Sequence, residues 1–505
     1  MRQQGRAQGA ASAPPAGVSR TGGAMRAAPA RRTGGADAGA ATPSAAETAG
    51  AAVLLALFLA SLLIPARIFV GGMLLSPDRI FLLLAFVPLF FRLVGGKVGP
   101  IRPVDILIGL YCLWIALALF IAHGAERVAF IGITIVELFG GYLVGRTLVL
   151  GEKDYRAFFR YFVYAMLFLL PFVLIEQMTR RLLISEIIGA VFPTYPYVNF
   201  DQRIGLNRIQ SVFEHPILFG LFWSVGIANL YFLSRDRLSK ALPQAGLAGF
   251  MTFMSLSSAP ILAGMLQFWM IVWEKVTGAK WKVLAGLGVL GYVVIDLLSN
   301  RSPVSVLISY GTFNQGTAYN RVLIWRYGMQ NVMGSPIFGI GLADWVRPWW
   351  MRSGSFDNFW LLQAMRYGIP SFVLLALGIA ASIWSITRAQ GLSFGQKQCR
   401  TAYMVALTGL LFTLATVHVW GSTSVFFMFY IGAGVWIAQA GDTAVAGEEP
   451  DPGPRRGTAR ARSAPTGRET AAVPEGRAPA PAPAPEPAAP GRFRPARRPP
   501  PTRIR

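Results

Sequence analysis

Apolar residues in this chain run in long blocks, and the polar residues collect in the intervals between them. Neither the alternation of a half-buried strand nor the one-sided stripe of a soluble helix produces blocks of this length. About twelve can be drawn, each near the roughly 20 residues that an α-helix needs to span the hydrocarbon of a bilayer. They lie near 51–70, 79–94, 104–122, 128–149, 157–178, 214–233, 241–256, 258–274, 281–299, 357–386, 401–418 and 420–440. The seventh and eighth are separated only by Ser257-Ser258-Ala259-Pro260, so they form either a tight hairpin or one bent element. The predicted fold is an all-α polytopic membrane protein, its helix count open by one or two.

Two intervals interrupt this pattern, from about 179 to 214 and from about 300 to 356. The second is about sixty residues long, and a loop beyond about 15 residues between ordered elements usually has a role of its own.

Composition agrees with a membrane protein. Of 505 residues, 53% are hydrophobic and 14% charged, against roughly 25% charged in a soluble domain. The net charge of +23 lies in the tails and short loops rather than on one face, which argues against nucleic acid as a partner and for membrane orientation. Cys112 and Cys399 sit in an apolar block and a basic loop, so no disulfide is expected. His123, His215 and His418 show no metal-ligand spacing, and no metal or cofactor is expected. Residues 1–50 and 441–505 are rich in Ala, Gly, Pro and Arg; they read as disordered basic tails flanking a membrane domain over 51–440. The first tail lacks the apolar core of a signal peptide.

The short loops set an orientation. Arg92, Lys97 and Arg102 follow the second block, and Arg146, Lys153, Arg156 and Arg160 the fourth. Arg235, Arg237 and Lys240 follow the sixth, Lys275, Lys280 and Lys282 the eighth, and Arg388, Lys397 and Arg400 the tenth. Under the positive-inside rule both termini are cytoplasmic and the two long intervals lie outside. Those intervals nevertheless hold Arg180, Arg181, Arg203 and Arg208 in the first, and Arg301, Arg321, Arg326, Arg347 and Arg352 in the second. Cations on a translocated face gain nothing from the orienting bias, and a bound anion is the simplest reason for them.

Arg203 and Arg208 suit a loop that clamps one phosphoryl group from two sides, since guanidinium forks bind phosphate in bidentate fashion. The alternative is pairing with Asp201 and Glu214 or with lipid headgroups. Glu214 and His215 precede Pro216 and read either as helix-start residues or as an acid–base pair. A helical run following Thr317 turns Val322, Trp325 and Met329 one way and leaves Arg321 near the helix start, where a cation favours a neighbouring anion. Gly339-Ile340-Gly341 marks a turn. Trp345, Trp349 and Trp350 form either an interfacial belt or a platform for sugar rings. Asp357, where the chain returns to the apolar pattern, is either a general base for a hydroxyl or a helix N-cap. Glu137, Glu176 and Asp296 fall within apolar blocks and read as hydrogen-bonding partners between helices or as interfacial groups.

Over about residues 50–440 the chain resembles the O-antigen ligase and polysaccharide polymerase superfamily. The resemblance rests on Arg203 to Gly220 and on Thr317 to Pro370, including Asn320-Arg321, Pro336-Ile337-Phe338-Gly339-Ile340-Gly341, Asp357-Asn358 and Tyr367-Gly368-Ile369-Pro370. Ligases typically carry His-Asn where this chain has Asp357-Asn358, so the likeness is nearer to exopolysaccharide-type polymerases. Ser257-Ser258-Ala259 likewise lacks the Ser-Arg pair common after the short outer turn. The resemblance implies a GT-C-like glycosyltransferase of the bacterial inner membrane that works without metal or cofactor. It would transfer a glycan from an undecaprenyl-diphosphate-linked oligosaccharide onto another lipid-linked repeat unit at the periplasmic face. Arg203, Arg208, Arg321 and Arg326 would hold the diphosphate, with Arg321 also stabilising the leaving charge. Asp357 or Glu214 would deprotonate the acceptor hydroxyl, and Trp345 and Trp349 would stack on the glycan. A flippase and a chain-length regulator would be its partners. The rival expectations are a ligase acting on a lipid or protein acceptor, and a lipid-linked oligosaccharide flippase.

Overall fold

The computed structural model describes residues 45–71, 73–198, 202–300, 306, 315–351 and 354–447. Both predicted tails, apart from their inner ends, lie outside the described residues, as do Asp201, Arg301 and Arg352.

The chain is mostly helical. It opens with α1 (Ala45–Leu63), a small antiparallel hairpin of β1 (Ile68–Val70) and β2 (Met73–Leu75), then α2 (Pro77–Val94), α3 (Pro103–His123), α4 (Val128–Leu148) and α5 (Glu152–Thr179). Among the described residues, the first polar interval contains only the short α6 (Leu183–Gly189). Then follow α7 (Pro216–Leu233), α8 (Leu238–Met254), α9 (Ser258–Thr277) and α10 (Trp281–Leu298). The second interval holds α11 (Gln315–Gly334), and the chain continues as α12 (Phe359–Tyr367), α13 (Ile369–Arg388), α14 (Phe394–Leu414), α15 (Gly421–Gly432) and α16 (Val435–Gly447).

Seven helices among the described residues are long and apolar enough to cross a membrane, fewer than the twelve blocks expected. The other blocks still form helices, but more polar or shorter ones. Helix α14, for example, begins with Gln396, Lys397, Gln398 and Arg400. The Ser257 region resolves as a hairpin, with α8 and α9 as separate helices. The block at 357–386 is two helices rather than one, broken at Gly368. Gly368 has φ +83°, and a Cβ there would lie 1.7 Å from the Ile337 carbonyl oxygen. Gly368→Ala therefore forces both a left-handed backbone and a backbone clash, and is expected to destabilise the fold by on the order of 3 kcal/mol. Thermal unfolding of the detergent-purified protein measures this.

Helix α7 is the axis of the bundle. Nearly every side chain along it is buried, and it packs against α8, α9 and α14. Helix α15 crosses α4 where Gly145 lets the two backbones meet; a Cβ on Gly145 would fall 2.1 Å from the Phe429 carbonyl oxygen. Close approach at small residues is how helices associate when lipid removes the hydrophobic drive between them. Some buried polar groups in the bundle pair with one another: Tyr155 donates to Asn229 at 2.5 Å, and Asn229 to Tyr430 at 3.0 Å. Arg146, read above as a loop cation, is instead buried in α4. It bonds Asp105 of α3 at 2.9 Å and the carbonyls of Val98 and Pro100. Removing one partner of such a pair strands the other charge, so Asp105→Ala is expected to lower stability by about 3–5 kcal/mol, read from thermal unfolding beside Gly368→Ala.

The second interval has a small core of its own. Leu323, Ile324 and Val332 of α11 pack with Trp345, Met351, Phe356, Leu361, Leu362 and Met365. The buried face of α11 is thus Arg321–Ile324–Gly328–Val332, and not Val322–Trp325–Met329. Trp325 is half exposed, because α12 lies on the other side. The turn at Gly339-Ile340-Gly341 docks this unit on the bundle. Ile340 and Gly341 N–H groups donate to Met365 and Arg366 carbonyls, and the Leu342 N–H donates to Nε2 of His123 at 2.7 Å.

Candidate functional site

The first interval is shaped by one carboxylate. Glu176, near the end of α5, accepts the backbone N–H groups of Gln210 at 2.9 Å and Ser211 at 3.0 Å. It is the hydrogen-bonding partner expected for an intramembrane carboxylate, though it bonds a loop rather than another helix. The Ile209 N–H donates to the Met254 carbonyl, which ties the same strand of loop to the end of α8. Just before it, Arg203 and Leu206 exchange both backbone hydrogen bonds around Ile204-Gly205, both at positive φ. This is a two-residue hairpin turn of the primed kind. A β-branched residue at φ +50° is strained, and Ser211 and Leu256 nearby also have positive φ. Strain of this kind persists only where surrounding contacts over-determine it, and it concentrates at functional sites.

These constraints place Arg203 and Arg208 at one cavity of about 170 Å³, lined also by His215, Ile217, Ser257, Ser258, Ala259, Arg321 and Asp357. The two polar intervals therefore meet, with Arg208 and Arg321 over a hundred residues apart in sequence. Arg203 donates to the Leu256 carbonyl at 2.7 Å and Arg208 to Ser257 Oγ at 3.0 Å. Arg321 is buried, and its Nε meets no hydrogen-bond acceptor among the described residues. Burial pulls the Arg321 guanidinium below its ordinary range, Arg203 adds to that, and Asp357 opposes it. A third cation held here is unfavourable until an anion arrives.

Two helices also start at the cavity. Ser257 to Ala259 begin α9, and Ile217 lies in the first turn of α7. The Ser257 side chain makes no capping bond; it donates instead to the Ser255 carbonyl. Helix N-termini present N–H donors and partial positive charge, which suit oxyanions. Three guanidiniums, two helix starts and one carboxylate can bind a doubly charged anion while leaving one base to accept a proton.

The position of Asp357 separates its two readings. Asn358 is the N-cap of α12, its Oδ1 accepting the Leu361 N–H at 2.9 Å. Asp357 accepts from Ser355 Oγ at 3.0 Å and lines the cavity. The cap is its neighbour.

Other expected site residues fall elsewhere. Glu214 does not line the cavity: it accepts from Trp420 Nε1 at 2.5 Å, and Tyr195 also bonds it. It stands behind His215 rather than with Asp357. Arg326 is exposed and lies near the Tyr327 ring, on the opposite side of α11 from Arg321. Trp345 is buried edge-on against Phe356, its Nε1 donating to the Gly354 carbonyl, so most of its ring belongs to the small core. Trp349 is 90% exposed, above a shallow depression shared with Asp344 and Arg347. Arg347 pairs with Asp344, Arg181 with Glu186, and Arg180 donates to Asn207. Glu137 pairs with Arg79, and Asp296 is exposed on α10.

His215 is the N-cap of α7, as one of its two readings held, and it contributes more besides. Its Nδ1 accepts the Ile217 N–H at 3.0 Å, so in the neutral ring the proton sits on Nε2. Burial, then Arg208 and Arg203, lower its pKa to about 4. A histidine with a depressed folded pKa contributes stability that is present above its unfolded value, about 6.5, and is lost as pH falls toward about 4. His215→Asn keeps a capping side chain and is expected to flatten that part of the stability–pH curve, measured by thermal unfolding between pH 8 and pH 4.

No protein-family model matches this chain, and no curated protein matches it either.

Proposed function

We propose that the chain is an integral membrane polysaccharide polymerase. It transfers a glycan from a polyprenyl diphosphate onto the hydroxyl of another lipid-linked repeat unit, on the periplasmic face of a bacterial inner membrane. The observation that carries this reading is the convergence of Arg203, Arg208 and Arg321 with Asp357 on one cavity at two helix starts. The three guanidiniums and one carboxylate sum to two positive charges, equal in magnitude to the charge of a diphosphate diester.

In this mechanism the acceptor hydroxyl oxygen attacks the anomeric carbon from the face opposite the diphosphate. The new glycosidic bond forms as the bond to the diphosphate oxygen breaks, its electron pair leaving with the diphosphate and the configuration inverting. Asp357 takes the hydroxyl proton. Arg321, with no hydrogen-bond partner at Nε, meets the charge that builds on the leaving oxygen. Neutral His215 donates from Nε2 without adding a fourth cation. The loop charges support cytoplasmic termini, and Trp349, 90% exposed, would stack on the glycan. A flippase that supplies the lipid-linked unit and a chain-length regulator fit as partners.

Cells carrying only Asp357→Asn are expected to lose polymer and to accumulate single lipid-linked repeat units on the periplasmic face. Accumulation on the cytoplasmic face would point to transport instead. Polymer of normal length left on its lipid would point to ligation.

A further inference from the structure

Helix α10 is apolar and long enough to cross a membrane, yet it buries none of its residues against the described chain. Between it, α9 and α14 lies a groove of about 1330 Å³. Its walls are apolar along Leu266, Met270, Val283 and Met404, with Trp269, Trp273 and Trp281 around them. The charges on its lining are all positive: Lys280, Lys282 and Arg400, gathered where α9 turns into α10 and α14 begins. Glu274, on the adjoining turn, is engaged by Arg235 at 2.7 Å. The groove sits toward the C-terminal end of α9, whereas the arginine cavity sits at its N-terminus, so the two are distinct.

We propose that this groove is a binding site for an anionic phospholipid, whose acyl chains separate α10 from α9 and α14 and whose headgroup phosphate is held by Lys280, Lys282 and Arg400. Charge complementarity selects this occupant. A transmembrane helix of a partner would cover the apolar walls equally well but gives no use to three cations at one end. A zwitterionic lipid leaves them uncompensated. Tryptophan and basic side chains together mark the depth of the headgroups. This site stands independently of the transfer reaction proposed above.

The test uses the full chain in detergent micelles, titrated with phosphatidylglycerol or phosphatidylcholine and read by native mass spectrometry. Phosphatidylglycerol is expected to bind more tightly. Each lysine neutralised in Lys280→Gln and Lys282→Gln is expected to weaken it by roughly fivefold, the Boltzmann factor of ~1 kcal/mol per cation. A second variant reads packing instead of charge: a Cβ on Gly288, which lines the groove, meets nothing within 4 Å, so Gly288→Phe fills the space and is expected to expel the lipid with no change in charge. Equal affinity for the two lipids, or phosphatidylglycerol binding that neither set of variants alters, would overturn the proposal. So would a protein subunit that remains on α10 after delipidation and is released by Gly288→Phe.

Discussion

Replacing Arg321 with lysine is expected to cut the rate of polymer formation by about a hundredfold, although the charge is kept. The guanidinium is buried, on the same face of α11 as Ile324 and Gly328. That packing fixes a planar donor fork toward the cavity with its Nε unsatisfied. An ammonium group offers a point charge on a flexible stem and cannot span two phosphoryl oxygens in the same way. Burial also holds the arginine below its usual range, and a lysine, with its lower starting pKa, loses its proton more readily in such a place. Initial rates with saturating lipid-linked substrate measure the effect. An unchanged rate in the lysine variant would mean that only net charge matters here.

The larger effect belongs to Asp357→Asn, for which a loss of about a thousandfold is expected, within the usual range for a general base. The amide is isosteric and leaves Asn358 to cap α12, so the protein should fold normally. Asn358→Ala supplies the contrast. It removes the cap and is expected to cost about 1 kcal/mol of stability while leaving most of the activity. Were Asp357 only a helix cap, Asp357→Asn would keep full activity, because asparagine caps a helix as well as aspartate does. Activity assays and thermal unfolding on both proteins, side by side, separate the roles.

Much of this arrangement was legible in the chain. Blocks of apolar residues announced the helices because a span has one dominant requirement, and unusual arginines marked the two intervals that meet at the cavity. Five residues on a helix already set Arg326 about 140° from Arg321, but spacing could not show which of the two faces the cavity, since the phase of α11 is set by the core it shares with Trp345, Phe356 and α12. Nor could it show that a local core takes up most of the Trp345 ring, since an aromatic in a polar interval looks like an exposed platform. The break at Gly368 was hidden inside an apolar run, because it answers to the Ile337 carbonyl, some thirty residues away. The Asp105–Arg146 pair was likewise invisible, as each residue alone looks interfacial. Ser257 and Ser258 carried a usable signal. Serines before an alanine and a proline are a helix start, and a helix start facing arginines suits an anion.

On the proposed function, the arginine cavity performs glycosyl transfer from a lipid diphosphate. Purified protein in nanodiscs, supplied with undecaprenyl-diphosphate-linked repeat units extracted from the producing cells, tests it most directly. Free undecaprenyl diphosphate should appear in step with lengthened glycan, one molecule per bond formed, and Asp357→Asn should abolish both together. Intact substrate after prolonged incubation, with no diphosphate released by the wild-type protein, would contradict the account.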